Sequence, residues 1–230
     1  MTTVAATDLN YHRYSLTKYD RDIVNAIPFH RELHERLVSI IEAHFAATKT
    51  YNILDLGVGT GLTTKLIKDY LPQSHFDVVD FSDNMLQCAK QRLGPVNVDY
   101  FLGDYALLDF TKKYDLITSV IGLHHQDMAG KRILFAKIYN LLEPGGLFIL
   151  GDLMTHQNPQ LNAVATARHY HHLVERATDE QTLTDWAHHH LYLNQLDTLE
   201  DQKLWLESAG LKVEVAFQEW HTALLVCRKT

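Results

Sequence analysis

The sequence predicts a doubly wound α/β protein whose parallel sheet ends in an antiparallel hairpin. Three observations lead there. Short β-branched or aromatic runs alternate with helical patterns from residue 51 onward, a glycine-rich turn follows the first of those runs, and the last two runs lie only a few residues apart. The chain has 230 residues, 46% hydrophobic and 21% charged, enough for one domain with a sizeable core. With 21 Lys+Arg against 28 Asp+Glu its formal charge is −7, and it has no basic run. Nucleic acid is therefore disfavoured as a partner. No stretch reaches the roughly 18 apolar residues a bilayer span needs, and the first eight residues lack the basic and apolar regions of an export signal. Cys88 and Cys227 form no CxxC pair, so no thiolate metal site is expected and a reducing, cytoplasmic home is.

Residues 1–50 read as a helical arm, with Ile23, Ile27, Leu33, Leu37, Ile40 and Ile41 on one stripe and Pro28 interrupting it. In an open α/β sheet such an arm can pack over the crevice where ligands bind, or simply cover an edge. Residues 51–156 form the core. Strands are expected at 52–56, 75–80, 96–102, 114–120 and 147–153, with amphipathic helices at 62–70, 84–93 and 131–142 between them. Gly94-Pro95 closes one helix, and Glu143-Pro144-Gly145-Gly146 is expected to turn tightly into the fifth strand. Residues 157–197 are polar, rich in histidine and free of convincing strands, and read as a helical lid. Residues 198–230 open with Thr198 and Asp201, a pattern resembling a capping box, and Gly210 ends that helix before strands at 211–217 and 222–227.

The chemistry concentrates at the strand ends. In DLGVGTG, residues 55–61, Gly57, Gly59 and Gly61 occupy the place where a strand hands over to a helix and backbone must approach a ligand closely. A nicotinamide fingerprint would want Gly or Ala where Leu62 stands, and a P-loop would want Gly-Lys-Ser/Thr, so neither dinucleotide nor ATP binding is supported. Asp80 ends the second strand, at the distance suited to a carboxylate for ribose hydroxyls, and Asp104 ends the third in LGDY. Glycine-rich backbone and two acids on one sheet edge suit a nucleoside without a pyrophosphate.

Together ILDLGVGTG, VVDFSDNML, GDY, YDLITSVIGLHH and LLEPGGLFILGD resemble the class I S-adenosylmethionine-dependent methyltransferases, and TLEDQKLWLESAGLKVEV with TALLVCRK resembles that family's last helix and hairpin. Within the family the chain is similar to small bacterial members, including those related to the carboxy-S-adenosylmethionine and wobble-uridine enzymes. The resemblance implies a seven-stranded Rossmann-like sheet, S-adenosylmethionine as cofactor and S-adenosylhomocysteine as product. It also implies roles for particular residues. The three glycines would pass beneath the methionine portion, Asp55 would help hold its amino group, and Asp80 would take the ribose. Phe81 and Met85 would pack on the adenine, Asp104 with Tyr105 beside it would meet the adenine amine, and Val120 would pass near the methionine end.

The acceptor side reads Gly122-Leu123-His124-His125-Gln126-Asp127 and lacks the Asn/Asp-Pro-Pro-aromatic tetrapeptide of base-amine methyltransferases. His124 and His125 are candidate general bases, the alternative being a His pair that only packs the strand's end. Asp152 can orient a histidine or bind a cationic acceptor. Tyr14, Tyr19, His30 and His34 from the arm, and Arg168 and His172 from the lid, are the further pocket candidates. No metal is expected: no HExxH or Cys/His spacing appears, and the crowd of lid histidines reads as a solvated polar face. The expected activity is methyl transfer to oxygen or aliphatic nitrogen of a small-molecule acceptor. Carboxy-S-adenosylmethionine synthesis, a wobble-uridine reaction and a non-catalytic sensor are the alternatives.

Overall fold

The computed structural model describes residues 16–230. Two helices, α1 (Leu16–Ala26) and α2 (His30–His44), precede β1 (Asn52–Leu56). The alternation then runs α3 (Leu62–Tyr70), β2 (His75–Asp80), α4 (Asp83–Leu93), β3 (Val98–Leu102), β4 (Tyr114–Val120), α5 (Met128–Leu141) and β5 (Leu142–Leu153). After β5 come α6 (Pro159–Arg176), α7 (Glu180–His188), a π-helical turn (His189–Leu193), α8 (Leu199–Ser208), β6 (Leu211–Glu219) and β7 (Thr222–Lys229).

The seven strands lie in the order β3-β2-β1-β4-β5-β7-β6, parallel except that β7 runs antiparallel to both neighbours. Leu54, Leu56, Val78, Val79, Leu116, Ile117, Phe148 and Ile149 are all fully or almost fully buried, as strands covered on both faces require. Strand order reverses between β1 and β4, which opens a crevice at their carboxyl ends.

Several local signals act as the sequence predicts. Thr198 caps α8 by accepting from the Asp201 N–H at 3.0 Å, while its own hydroxyl donates to the Asp201 carboxylate at 2.7 Å. Pro28 separates α1 from α2, with Phe29 held at φ 58° between them. The Glu143–Gly146 run differs from expectation. It does not precede the strand but lies within it: Tyr114 pairs with Leu142 and Leu116 with Leu147, so these residues bulge out of β5. Pro144 lacks a ladder donor, and a bulge is where a strand tolerates that.

The insertion returns to the sheet beneath α5. Lys131 is completely buried, and its ammonium donates to the Gln195 carbonyl and the Asp197 carboxylate, both at 2.6 Å. The Gln195 N–H donates to the His124 carbonyl at 2.7 Å, and Thr155 bridges to Thr198. These bonds hold 194–198 against the strand ends. Among the described residues no helix is long and apolar enough to cross a membrane. Lys131→Met keeps most of the side-chain volume but strands a partly buried carboxylate. A loss of about 1–3 kcal/mol in a urea melt is expected.

Candidate functional site

The strand ends enclose one cavity of about 270 Å³ beside the reversal point. Its floor is the turn after β1. The Gly57 and Val58 N–H groups both donate to the Val79 carbonyl at 2.9 Å, and Gly61 caps α3 in a left-handed conformation. Gly59 has φ +53°, and a Cβ there would meet no atom within 4 Å: it would project into open space on the cavity's side. Gly61 at φ +81° is confined by packing, since a Cβ would come within 3.2 Å of Leu93.

Acids line the walls. The Asp80 carboxylate accepts from the Gly59 N–H at 2.8 Å and the Ser82 N–H at 2.9 Å, which ties β2 to the glycine turn. Burial pushes its pKa up to about 6 against those hydrogen bonds. Asp55 is likewise pushed up to about 6 by burial, although the hydroxyls of Thr64 and Thr118 donate to it. Asp104 accepts from the Ala106 N–H at 2.8 Å, in an Asx turn that aims β3's end at the cavity. Among the described residues no Lys or Arg lines the cavity, and neither Asp55, Asp80 nor Asp104 is ion-paired. A cationic ligand would relieve the desolvation of these carboxylates. Tyr105 is buried, and burial followed by the Asp152 charge holds its hydroxyl above the usual range. Phe81, Met85 and Val120 complete the apolar lining.

The arm closes the cavity from above. Tyr19, Asp20 and Ile23 of α1 and His30 and His34 of α2 face it. Asp20 accepts from the Thr60 hydroxyl at 2.6 Å and pairs with Arg92, whose guanidinium also donates to the Thr60 carbonyl at 3.0 Å. A residue from the arm, one from the glycine turn and one from α4 thus form a single clasp. His34 donates from Nδ1 to the His30 carbonyl at 2.8 Å, so its Nε2 accepts from the Thr63 hydroxyl at 3.0 Å. Burial, then the neighbouring His34, pushes His30 down to about 3, leaving a neutral ring.

At the opposite end, Ile121 takes φ 54°, a left-handed conformation that is costly for a β-branched residue. The Gly151 carbonyl accepts its N–H at 2.7 Å. His124 is buried and clamped by Asp152, which accepts from its N–H at 2.9 Å and its Nδ1 at 2.5 Å. His125 lines the cavity. Its Nδ1 donates to the Leu193 carbonyl at 3.1 Å, so Nε2 carries the lone pair, and burial, then His124 and His189, holds its pKa well below the usual value.

Residues 53–146 match a methyltransferase domain. A demethylmenaquinone methyltransferase of Leptospira interrogans is 34% identical over 155 residues, 64% of this chain and 61% of that relative. Across its core the chain is similar to the class I S-adenosylmethionine-dependent methyltransferases, and it spans less than two thirds of that relative's length. A carboxy-S-adenosyl-L-methionine synthase of Staphylococcus epidermidis is 24% identical across 93% of this chain and 96% of that relative. The fold is shared with the N-methyltransferase NodS of Bradyrhizobium japonicum, solved with S-adenosyl-L-homocysteine, at TM-score 0.59 and 18% identity over 88% of each chain.

Of the residues singled out from sequence, the cavity gathers Asp55, Gly57, Gly59, Asp80, Phe81, Met85, Asp104, Tyr105, Val120, Tyr19, His30, His34 and His125. Gly61 supports it from behind. Four others are placed elsewhere. His124 and Asp152 face each other behind the wall, Arg168 lies over the Trp220 ring, and His172 bonds to the Asn25 carbonyl at 2.8 Å, joining α6 to the arm. Tyr14 lies outside the described residues. Thr60, Arg92 and Gln126 were not foreseen. Arg92 reads in sequence as the last turn of an amphipathic helix, and nothing local connects it to Asp20, 72 residues away. Arg92→Ala should release the arm, seen as faster amide exchange across 16–26 while β1 and β4 stay protected.

Proposed function

We propose that the chain transfers a methyl group from S-adenosylmethionine to oxygen or aliphatic nitrogen of a small molecule held between the arm and His125. The supporting observation is the convergence of three successive strand ends on one cavity that has unpaired acids on its walls and a neutral, oriented imidazole at its far end.

S-adenosylmethionine, when bound, supplies an electrophilic methyl on a cationic sulfur that leaves as a neutral thioether. The chain's own residues do the rest. Gly59 leaves room for the ligand because it carries no side chain. Asp80 offers carboxylate oxygens to the ribose hydroxyls, Asp104 accepts from the adenine amine, and Phe81, Met85 and Tyr105 pack against the base. Asp55 faces the ammonium end, while Val120 and Ile121 bound the sulfonium end. The clasped arm excludes water, which strengthens each of these contacts. His125 Nε2 takes the acceptor's proton as the new bond forms, and its Nδ1–H bond to Leu193 keeps that nitrogen aimed inward.

His124 is a positioning residue in this scheme: the Asp152 clamp fixes the turn from which His125 projects. The carboxy-S-adenosylmethionine reading, favoured by the end-to-end similarity to that synthase, calls for an arginine at the sulfonium substituent. Of Arg13, Arg21 and Arg168, the arginines the sequence makes available, Arg13 lies outside the described residues, while Arg21 pairs with Asp22 and Arg168 lies over Trp220, and among the described residues no arginine lines the cavity.

Calorimetry should detect S-adenosylmethionine and S-adenosylhomocysteine binding, and Asp80→Ala should weaken both roughly 10- to 100-fold. Because the free-state pKa of Asp80 is about 6 and the ionised form is the better acceptor, cofactor affinity should fall as pH drops through 6. No binding at pH 7.5 would refute the assignment. With an acceptor found by thermal-shift screening in S-adenosylhomocysteine, His125→Phe should lower kcat about 10²-fold or more and leave cofactor affinity within a few-fold. An unchanged kcat would remove His125 as the base.

A further inference from the structure

The lid histidines are not the solvated face that the sequence suggests. His171 and His188 are exposed, but His169 is 2% exposed, and so is His221 in the turn between β6 and β7. The three consecutive rings diverge: His188 meets Tyr192, His189 turns to His125, and His190 meets His169 with centroids 4.2 Å apart and the rings tilted by 40°. His169, His190 and His221 thereby bring one nitrogen each to within 4.8 Å of one another.

Two further observations distinguish this cluster. Among the described residues, the Nδ1 atoms of His169 and His221 are both buried with no hydrogen-bond partner. Each such atom costs roughly 1–3 kcal/mol, and native proteins retain few of them. Second, the outer nitrogens are held. His221 Nε2 donates to Asn162 Oδ1 at 3.0 Å, an oxygen that also accepts the His156 N–H, so the lone pair of His221 must sit on Nδ1. The His169 ring hydrogen-bonds the Ala26 backbone. The Asn194 amide lies 3.5 Å from His190 Nδ1, and its Oδ1 is buried without a partner. Turning that amide over gives His190 Nδ1–H an acceptor and leaves Nε2 for a ligand. Metal-bound histidines are oriented by outer partners of this kind.

We propose that His169, His190 and His221 bind one zinc-class divalent cation that fastens the helical insertion to the β6–β7 turn. Three imidazoles without a carboxylate suit zinc and exclude magnesium or calcium, which take oxygen ligands. Tetrahedral coordination at about 2.0–2.1 Å sets nitrogens about 3.4 Å apart, a closure that small ring rotations supply. A water completes the fourth position. The cation joins α6, the π-helical turn and the terminal hairpin, adding to the Asn162–His221 hydrogen bond that already links α6 to the β6–β7 turn. The site is separate from the cofactor cavity, so it does not depend on the methyltransferase reading.

The test uses tag-free, full-length protein, stripped with chelator and titrated with Zn²⁺ by calorimetry and with Co²⁺ by visible absorption. One ion per chain at micromolar affinity or tighter is expected, with the intense bands of four-coordinate cobalt and a higher thermal midpoint with zinc. His169→Ala and His221→Ala should each weaken binding at least tenfold, and His189→Ala, in the neighbouring cluster, should not. X-ray absorption should report three imidazole ligands in the wild-type zinc protein and the same shell in His189→Ala, which assigns the ion to this cluster rather than to His124, His125 and His189 even where a His169 or His221 variant fails to fold. Absence of stoichiometric binding, an oxygen-dominated shell, or loss of the ion in His189→Ala alone would overturn the proposal.

Discussion

The reversal of strand order between β1 and β4 is the constraint on which the rest of the molecule depends. Crossover connections leave β1 toward one side of the sheet and β4 toward the other, so no crossover helix covers the carboxyl ends between them. Backbone emerging there must turn immediately, and glycines at positive φ permit it to do so without filling the space with side chains. The acids at the ends of β2 and β3 then face that gap because parallel strands in register end at one level: Asp80 lies opposite Leu102 in the ladder. The cavity is thus a consequence of topology, and its chemistry a consequence of which residues end the strands.

Two kinds of long-range contact complete what topology begins. Asp20, Thr60 and Arg92 bind the arm over the glycine turn, converting an open crevice into an enclosed site. Lys131, Gln195 and Asp197 hold the returning insertion beneath the strand ends, where the Leu193 carbonyl orients His125. Both use charged groups whose partners lie within hydrogen-bond reach, as largely buried ions require. The arm and the insertion also meet directly, through His172 and the Asn25 carbonyl. The arm side and the insertion side of the cavity are therefore braced by one another as well as by the sheet.

Histidine serves three separate purposes here. His34 is a neutral hydrogen-bond relay within the arm, His125 is an imidazole oriented by Leu193 at the cavity wall, and among the described residues His169 and His221 present nitrogens without a hydrogen-bond partner away from it. Burial lowers the pKa of all four, so each ring is neutral and can act through a lone pair. What separates the roles is the partner of the other ring nitrogen.

The sequence by itself determined the order of the elements, the doubly wound sheet with its terminal hairpin, and the residues at the strand ends, because periodicity, glycine turns and caps are local. It placed Asp80, Asp104 and the glycines on one edge for the same reason: a strand's end is visible in the chain. Only the tertiary structure decided that Arg92 clasps Asp20, that Pro144 sits in a bulge inside β5, and that His125 reaches the cavity while His124 turns away to Asp152. The histidine cluster was hidden most completely. His169 and His190 lie 21 residues apart with no metal-binding spacing, and His221 comes from the far end of the chain, so only the packing of the insertion against the terminal hairpin brings the three together.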